Sequence, residues 1–266
     1  VEIELGIWAI LISGAAVAGW IDAVIGGGGL VLIPLLLAVV PGIAPATALG
    51  TNKLVGVSGT ASAAVVMVRR VGAQSAVKYV PLALLCAGAG AASASLIDAA
   101  LMRPIIIVLL LVVGTFVAFR PSFGAAAVEK KEVATWRRWV LLLAVGVISF
   151  YDGIFGPGTG MFLIMAFTAL LSQDFLRSAA MAKVVNTATN LGALVVFAWG
   201  GHVWWELGLI LAVANIAGAQ LGARTVLGGG AKLVRGALLA VVVVMSGYLG
   251  WQQFGYPKLA ITAWMS

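Results

Sequence analysis

The stretch Gly19-Trp20-Ile21-Asp22-Ala23-Val24-Ile25-Gly26-Gly27-Gly28-Gly29, followed by Thr51-Asn52-Lys53-Leu54, recurs later in the chain. Its second copy is Ser149-Phe150-Tyr151-Asp152-Gly153-Ile154-Phe155-Gly156-Pro157-Gly158-Thr159-Gly160, followed by Met181-Ala182-Lys183-Val184. Asp22 and Asp152, Gly26 and Gly156, Gly28 and Gly158, and Lys53 and Lys183 are each 130 positions apart, in a chain of which only 9% is charged. The chain is therefore read as two copies of one unit, each with one acid, one helix-breaking glycine cluster and one lysine inside apolar sequence.

Hydrophobic residues make up 62% of the 266 and mean hydropathy is +1.13, so no soluble surface could be assembled from this chain. It reads as an all-α, polytopic membrane protein. Ten apolar runs are visible: 5–25, 30–40, 46–68, 76–97, 104–119, 139–155, 161–171, 179–199, 204–227 and 233–254. Most approach the roughly 20 residues a helix needs to cross the hydrocarbon, but the two that follow the glycine clusters are about half that length. Lipid offers no partner to a free backbone group, so the short ones should be buried among other helices or line a cavity.

Of the Lys and Arg residues behind the net charge of +7, most lie between the apolar runs and none form an extended basic tail, which marks topology and not a nucleic-acid surface. The longest polar stretch, within 121–138, is read as a cytoplasmic linker between a first repeat (1–120) and a second (139–266). Equivalent loops carry opposite bias. The loop from Arg69 to Ser75 is basic, whereas its counterpart from Gly200 to Glu206 has no Lys or Arg; Asp98 to Arg103 is nearly neutral, whereas Arg224, Lys232 and Arg235 are basic. The basic member of each pair should face the cytoplasm, which makes the repeats inverted in the membrane. An odd number of crossings per half satisfies this, giving about five segments each with both termini outside. If the short segments are instead re-entrant there are eight full spans and parallel repeats; the charge pattern favours the first count. The acidic start, Val1-Glu2-Ile3-Glu4, lacks the basic region of a signal peptide, so the run 5–25 is expected to stay in the mature protein. The single Cys86 leaves the redox compartment open.

Lys53 lies about seven residues into its apolar run, roughly 10 Å below the helix start at 1.5 Å per residue, and Lys183 is placed alike. A charge at that depth costs at least about 2.5–3.5 kcal/mol and needs a partner or a cavity. Three readings are open: snorkelling, an ion pair with the acid of the same repeat, or binding of an anion. Asn186 and Asn190 share a helix face with Lys183, and Thr51 and Asn52 precede Lys53, so neutral donors accompany both charges. The glycine clusters end one helix where another begins. The new helix would present free N–H groups and its positive dipole end at Gly27, Gly28 and Gly29, and at Gly158 and Thr159, inside the membrane. A plain interhelical turn is the alternative. Asp22 and Asp152 could neutralise the lysines, carry a coupling proton or help bind a cation. Gly218-Ala219-Gln220-Leu221-Gly222 and Ala87-Gly88-Ala89-Gly90-Ala91 read as close helix contacts, and Trp136, Trp139, Trp204 and Trp205 as interfacial anchors.

Neither glycine cluster continues as a nucleotide-binding loop, and there is no HExxH or GxSxG. The reading therefore excludes an ATP-driven pump within this chain, implies no cofactor and no metal, and makes an intramembrane enzyme remote. A secondary transporter and a passive channel for a small anion both remain.

At these residues the chain resembles the TauE/SafE family of membrane anion exporters. The match lies in Gly19-x-x-Asp22 to the glycine run with Pro34, in Ala48-Leu49-Gly50-Thr51-Asn52-Lys53, and in a second copy ending Lys183-Val184-Val185-Asn186. The resemblance implies export of sulfite, sulfoacetate or a related organosulfur anion across a bacterial inner membrane. A non-sulfur anion such as a carboxylate is the alternative, and protons are a candidate coupling ion. Oligomeric state is left open.

Overall fold

The computed structural model describes residues 4–94, 96–118 and 134–228. The run 233–254, Lys232, Arg235 and linker residues 121–133 lie outside the described residues. Nine α-helices are described: α1 (Leu5–Ile25), α2 (Gly29–Val39), α3 (Pro45–Val71), α4 (Val80–Ala94, after a 3-10 turn at Gln74–Tyr79), α5 (Ala99–Ala118), α6 (Thr135–Ile154), α7 (Thr159–Leu171), α8 (Phe175–Trp199) and α9 (Trp205–Leu227). No strand is present among the described residues. Residues 135–138, assigned from sequence to the linker, form the first turn of α6.

Five helical stretches are long and apolar enough to cross a membrane: Leu5–Ile25, Pro45–Val71, Gln74–Ala94, Phe175–Trp199 and Trp205–Leu227. Their outer faces and that of α6 carry large apolar side chains in the open, among them Leu85 and Val213, and Leu143 and Val147 of α6. Such a surface suits lipid and would aggregate in water. Trp136, Trp139 and Trp205 are exposed, while Trp204 packs against the core.

The 130-residue offset carries α1 onto α6, α2 onto α7, α3 onto α8 and α4 onto α9. In space the equivalent helices α3 and α8 are antiparallel, for Gly50 meets Phe197 while Gly56 meets Asn190. The remaining contacts agree with this inversion. Helix α1 runs parallel to α9, with Ala15 beside Asn215 and Trp20 beside Thr225. Helix α6 runs parallel to α4, with Gly146 near Cys86 and Gly153 against Ala87 and Ala91. Each repeat thus lends its first helix to the other repeat's fourth. The small-residue motifs are what permit it. Gly218 and Gly222 lie against the α1 backbone at Ala16 and Trp20, and Gly90 lies against Phe150, so a side chain at these positions would strike main chain.

The short helices behave as the lipid argument requires. Helix α2 has 11 residues, about 16 Å, and every residue from Leu30 to Leu37 is buried. It doubles back along α1, so that Gly28 lies against Asp22 and Gly14 against Leu35. Helix α3 therefore starts at the end where α1 started and runs parallel to it. That is the direction sense needed for inverted repeats, and the parallel alternative does not fit it. The glycine breaks meet at the centre. Gly26, held at φ +78°, packs directly on Gly160, leaving no space for a Cβ on either residue.

Candidate functional site

Lys53 and Lys183 each sit nine residues into their helices, counting from Pro45 and Phe175, and are 1% and 0% exposed. Neither snorkels. Lys53 Nζ is 3.0 Å from Asp152 Oδ2, and Lys183 Nζ is 3.1 Å from Asp22 Oδ2. The ion pairs are crossed between repeats, and the same-repeat pairing that was one of the three readings open from sequence does not occur. The reason lies in the antiparallel crossing of α3 and α8, which carries each lysine to the end of the other repeat's broken helix.

Asp22 and Asp152 occupy the last turns of α1 and α6, where donors to main-chain carbonyls run short, although the Asp22 carbonyl still accepts the Gly26 N–H at 2.8 Å. Lys183 Nζ also donates to the main-chain carbonyl of Asp22, and Lys53 Nζ to that of Asp152. Each lysine therefore donates to a helix-end carbonyl, opposes the negative dipole end and neutralises a carboxylate at once. Removing one partner of such a buried pair costs about 3–5 kcal/mol, because the other charge is left alone.

The two acids are not equivalent. Both oxygens of Asp22 are engaged: Oδ1 accepts the Gly28 N–H at 3.2 Å, and Oδ2 accepts from Lys183. The N-terminus of α2, expected from sequence to be free for an anion, thus faces a carboxylate supplied by its own repeat. Asp152 is 2% exposed, and its Oδ2, although in charge contact with Lys53, receives no hydrogen bond. The lysine's donor is directed to the carbonyl instead.

A polar cavity lies between the pairs. Lys53, Asp152 and Asp22 border it, together with Asn52, Asn186, Asn190 and Asn215, and with Gly28, Gly29 and Gly156 on the backbone side. Its volume is about 30 Å³. A single water needs about 10–15 Å³, so the space suits a compact solute and excludes a bulky one unless the helices move. Asn52 makes no hydrogen bond to the described protein, and Asn186 donates none from Nδ2, although its carbonyl oxygens accept from Thr189 and Asn190. These are unspent amide donors beside a buried ammonium. Gly56 permits the arrangement, since a Cβ there would lie 2.9 Å from Asn190 Oδ1.

The remaining residues singled out from sequence lie elsewhere or are occupied. Thr51 Oγ1 accepts the Trp204 N–H at 3.0 Å, tying α3 to the start of α9. Thr159 Oγ1 donates to Gly156 O at 2.9 Å inside its own turn. Gly158, at φ +77°, packs against Val113, and Gly27 is buried without bordering the cavity. Lys183 stands behind Asp22 and also does not border it. Sequence reading passed over Asn215, whose Nδ2 donates to Ala15 O at 2.9 Å and which is 5% exposed. An amide inside the apolar run 204–227, which Asn215 shares with Gln220, was the available signal. No cluster of His, Cys, Asp or Glu among the described residues could hold a metal ion.

Comparison with known proteins agrees with this architecture. Residues 11–249 match the family model described as "Sulfite exporter TauE/SafE". The chain is 35% identical over 248 residues to "Probable membrane transporter protein YfcA" of Escherichia coli, covering 92% of this chain and 90% of that protein. It is 34% identical over 261 residues to a "Probable membrane transporter protein" of Haemophilus influenzae, covering 95% of this chain and all of the relative. No solved structure matches. A glycine-broken, lysine-bearing helical core and a family match across nearly the whole chain lead to one conclusion: the chain belongs to the sulfite exporter TauE/SafE family and is a multi-pass membrane transporter, not an enzyme.

Proposed function

We propose that this transporter is a secondary carrier exporting a compact sulfur oxyanion, sulfite or a small organosulfonate, across the bacterial inner membrane. The observation that carries the reading is the cavity beside Lys53, where a fully buried ammonium and the uncommitted amides of Asn52 and Asn186 converge on a space of about 30 Å³. The ammonium and the neutral amides offer an anion donors, for which the Asp152 carboxylate at 3.0 Å competes, and hydrogen bonds made to a charged group are the strong ones. The family description supplies the sulfur chemistry, and the small volume favours sulfite over the longer sulfoacetate. The first repeat holds the anion through Lys53 and Asn52, and the second holds it through Asn186 and Asn190. Lys183 acts from behind Asp22 by setting the charge balance of the site.

A thermal-shift screen of the purified protein against sulfite, sulfate, thiosulfate, sulfoacetate, taurine and acetate tests this, since a ligand of the folded state raises its apparent stability. Sulfite should raise Tm more than acetate or taurine does. A shift with acetate and none with sulfite would replace the sulfur anion by a carboxylate. In proteoliposomes, sulfite flux that saturates identifies a carrier, whereas flux rising in proportion to concentration identifies a channel.

A further inference from the structure

The geometry points to Asp152 as the proton-binding group of the carrier, taking up one proton for each anion bound at Lys53; the inference rests on the anion reading of this cavity. With Asp22, Asp152, Lys53 and Lys183 all ionised, the charges of the site cancel. An anion entering beside Lys53 must then share that ammonium with the Asp152 carboxylate, and two negative charges at one buried cation are disfavoured. Protonating Asp152 removes the conflict. The proton comes from solvent, an O–H bond forms at the carboxylate, and the Lys53 charge passes from Asp152 to the anion.

Asp152 is chosen over Asp22 on geometry. Asp22 has both oxygens hydrogen-bonded, to the Gly28 N–H and to Lys183, so a proton there would displace an existing donor. Asp152 borders the cavity, and its buried Oδ2, in charge contact with Lys53, accepts no hydrogen bond. The charged groups around it are few. Lys53 of α3 lies at 3.0 Å, and Asp22 of α1 with Lys183 of α8 stands on the far side of the cavity. Tyr151, its chain neighbour, directs its hydroxyl to the Pro157 carbonyl at 2.8 Å. Helix α4 presents Ala87 and Ala91 to this turn of α6, with Cys86 beside Gly146 almost two turns away. Carried with one proton, a dianion crosses as a singly charged species, and an inside-negative potential then drives it outward.

Isothermal titration calorimetry of sulfite binding, in buffers of different ionisation enthalpy, reads the protons taken up per anion. The wild type should take up about one more proton per sulfite than Asp152→Asn, whose amide imitates the protonated acid, and the comparison cancels sulfite's own protonation. Asp22→Asn should keep the wild-type number. Affinity of the wild type should fall about tenfold more steeply per pH unit raised than that of Asp152→Asn, wherever binding takes up a whole proton. Equal uptake by wild type and Asp152→Asn overturns the inference while leaving the anion site standing. Failure of the wild type to bind sulfite removes the anion reading and this inference with it. Should Asp152→Asn not fold, the wild type decides alone: uptake must exceed what the aqueous titration of sulfite accounts for, and no excess overturns the inference.

Discussion

Lys53 of the first repeat is paired with Asp152 of the second, 3.0 Å away, and not with Asp22 of its own repeat. With its mirror pair, Lys183 and Asp22, it locks the two halves to each other at the glycine breaks. Lys53→Ala should destabilise the protein by about 3–5 kcal/mol through the abandoned carboxylate. Adding Asp152→Ala should restore a large part of that loss, whereas adding Asp22→Ala should only deepen it, because it strands Lys183 as well. Unfolding of the single and double variants in detergent measures both cycles.

The free amides and the committed ones should separate in their effects. Asn52→Leu and Asn186→Leu should each weaken sulfite binding by about 10- to 100-fold, as expected for a lost hydrogen bond to a charged group. For Asn52→Leu the change in Tm should be small, since no group among the described residues uses that amide. Thr51→Val should do the reverse. It leaves the Trp204 N–H without its acceptor, lowering stability by about 1–3 kcal/mol with affinity little changed. Tm and sulfite titration on the same preparations decide between the two patterns.

At the breaks, the glycines are required for different reasons. Gly26→Ala must hold φ +78° against Gly160, so it should cost more than the roughly 1–2 kcal/mol of a left-handed non-glycine residue. Gly28 is in the ordinary helical region, and its constraint is space: a Cβ would lie 2.7 Å from Asp22 Cβ. Gly28→Leu should insert into the membrane, displace the Asp22 carboxylate and abolish binding. Normal sulfite transport by Gly28→Leu would reduce the cluster to a simple connection.

Inversion of the repeats should place the exposed positions Gln74 and Glu206 on opposite sides of the membrane, and the basic neighbours Arg69 and Arg70 predict the cytoplasmic side for Gln74. In a Cys86→Ala background, an impermeant thiol reagent applied to intact cells should label Glu206→Cys and spare Gln74→Cys. Labelling of both from outside contradicts the inverted arrangement.

The duplication made the helical architecture and the glycine breaks legible, because acid, glycine and lysine repeat at one offset and intramembrane charges are too costly to be incidental. Burial of the short helices followed from the same backbone argument. What the sequence could not decide was pairing. A 130-residue offset is equally compatible with Lys53 meeting Asp22 or Asp152, and only the antiparallel crossing of α3 and α8 selects the second. The expected helix-terminus anion site at Gly28 was obscured by a neighbour: Asp22, in the last turn of α1, folds back to accept that N–H. Thr51 and Thr159 looked like substrate donors because hydroxyls near a buried charge suit an anion, yet local turns and the α9 start use them first. Asn215 carried a signal as an amide inside an apolar run, but its equivalent in the first repeat is Leu85, so nothing drew it into the pattern.

The central claim is that Lys53 holds the anion and does not merely neutralise Asp152. Sulfite affinity of the Lys53→Ala, Asp152→Ala double variant tests it most directly, with Tm recorded on the same sample. Removal of both charges relieves the buried imbalance, so stability should return towards wild type while sulfite binding stays lost, the ammonium being gone. Wild-type affinity for sulfite in that double variant would contradict the account.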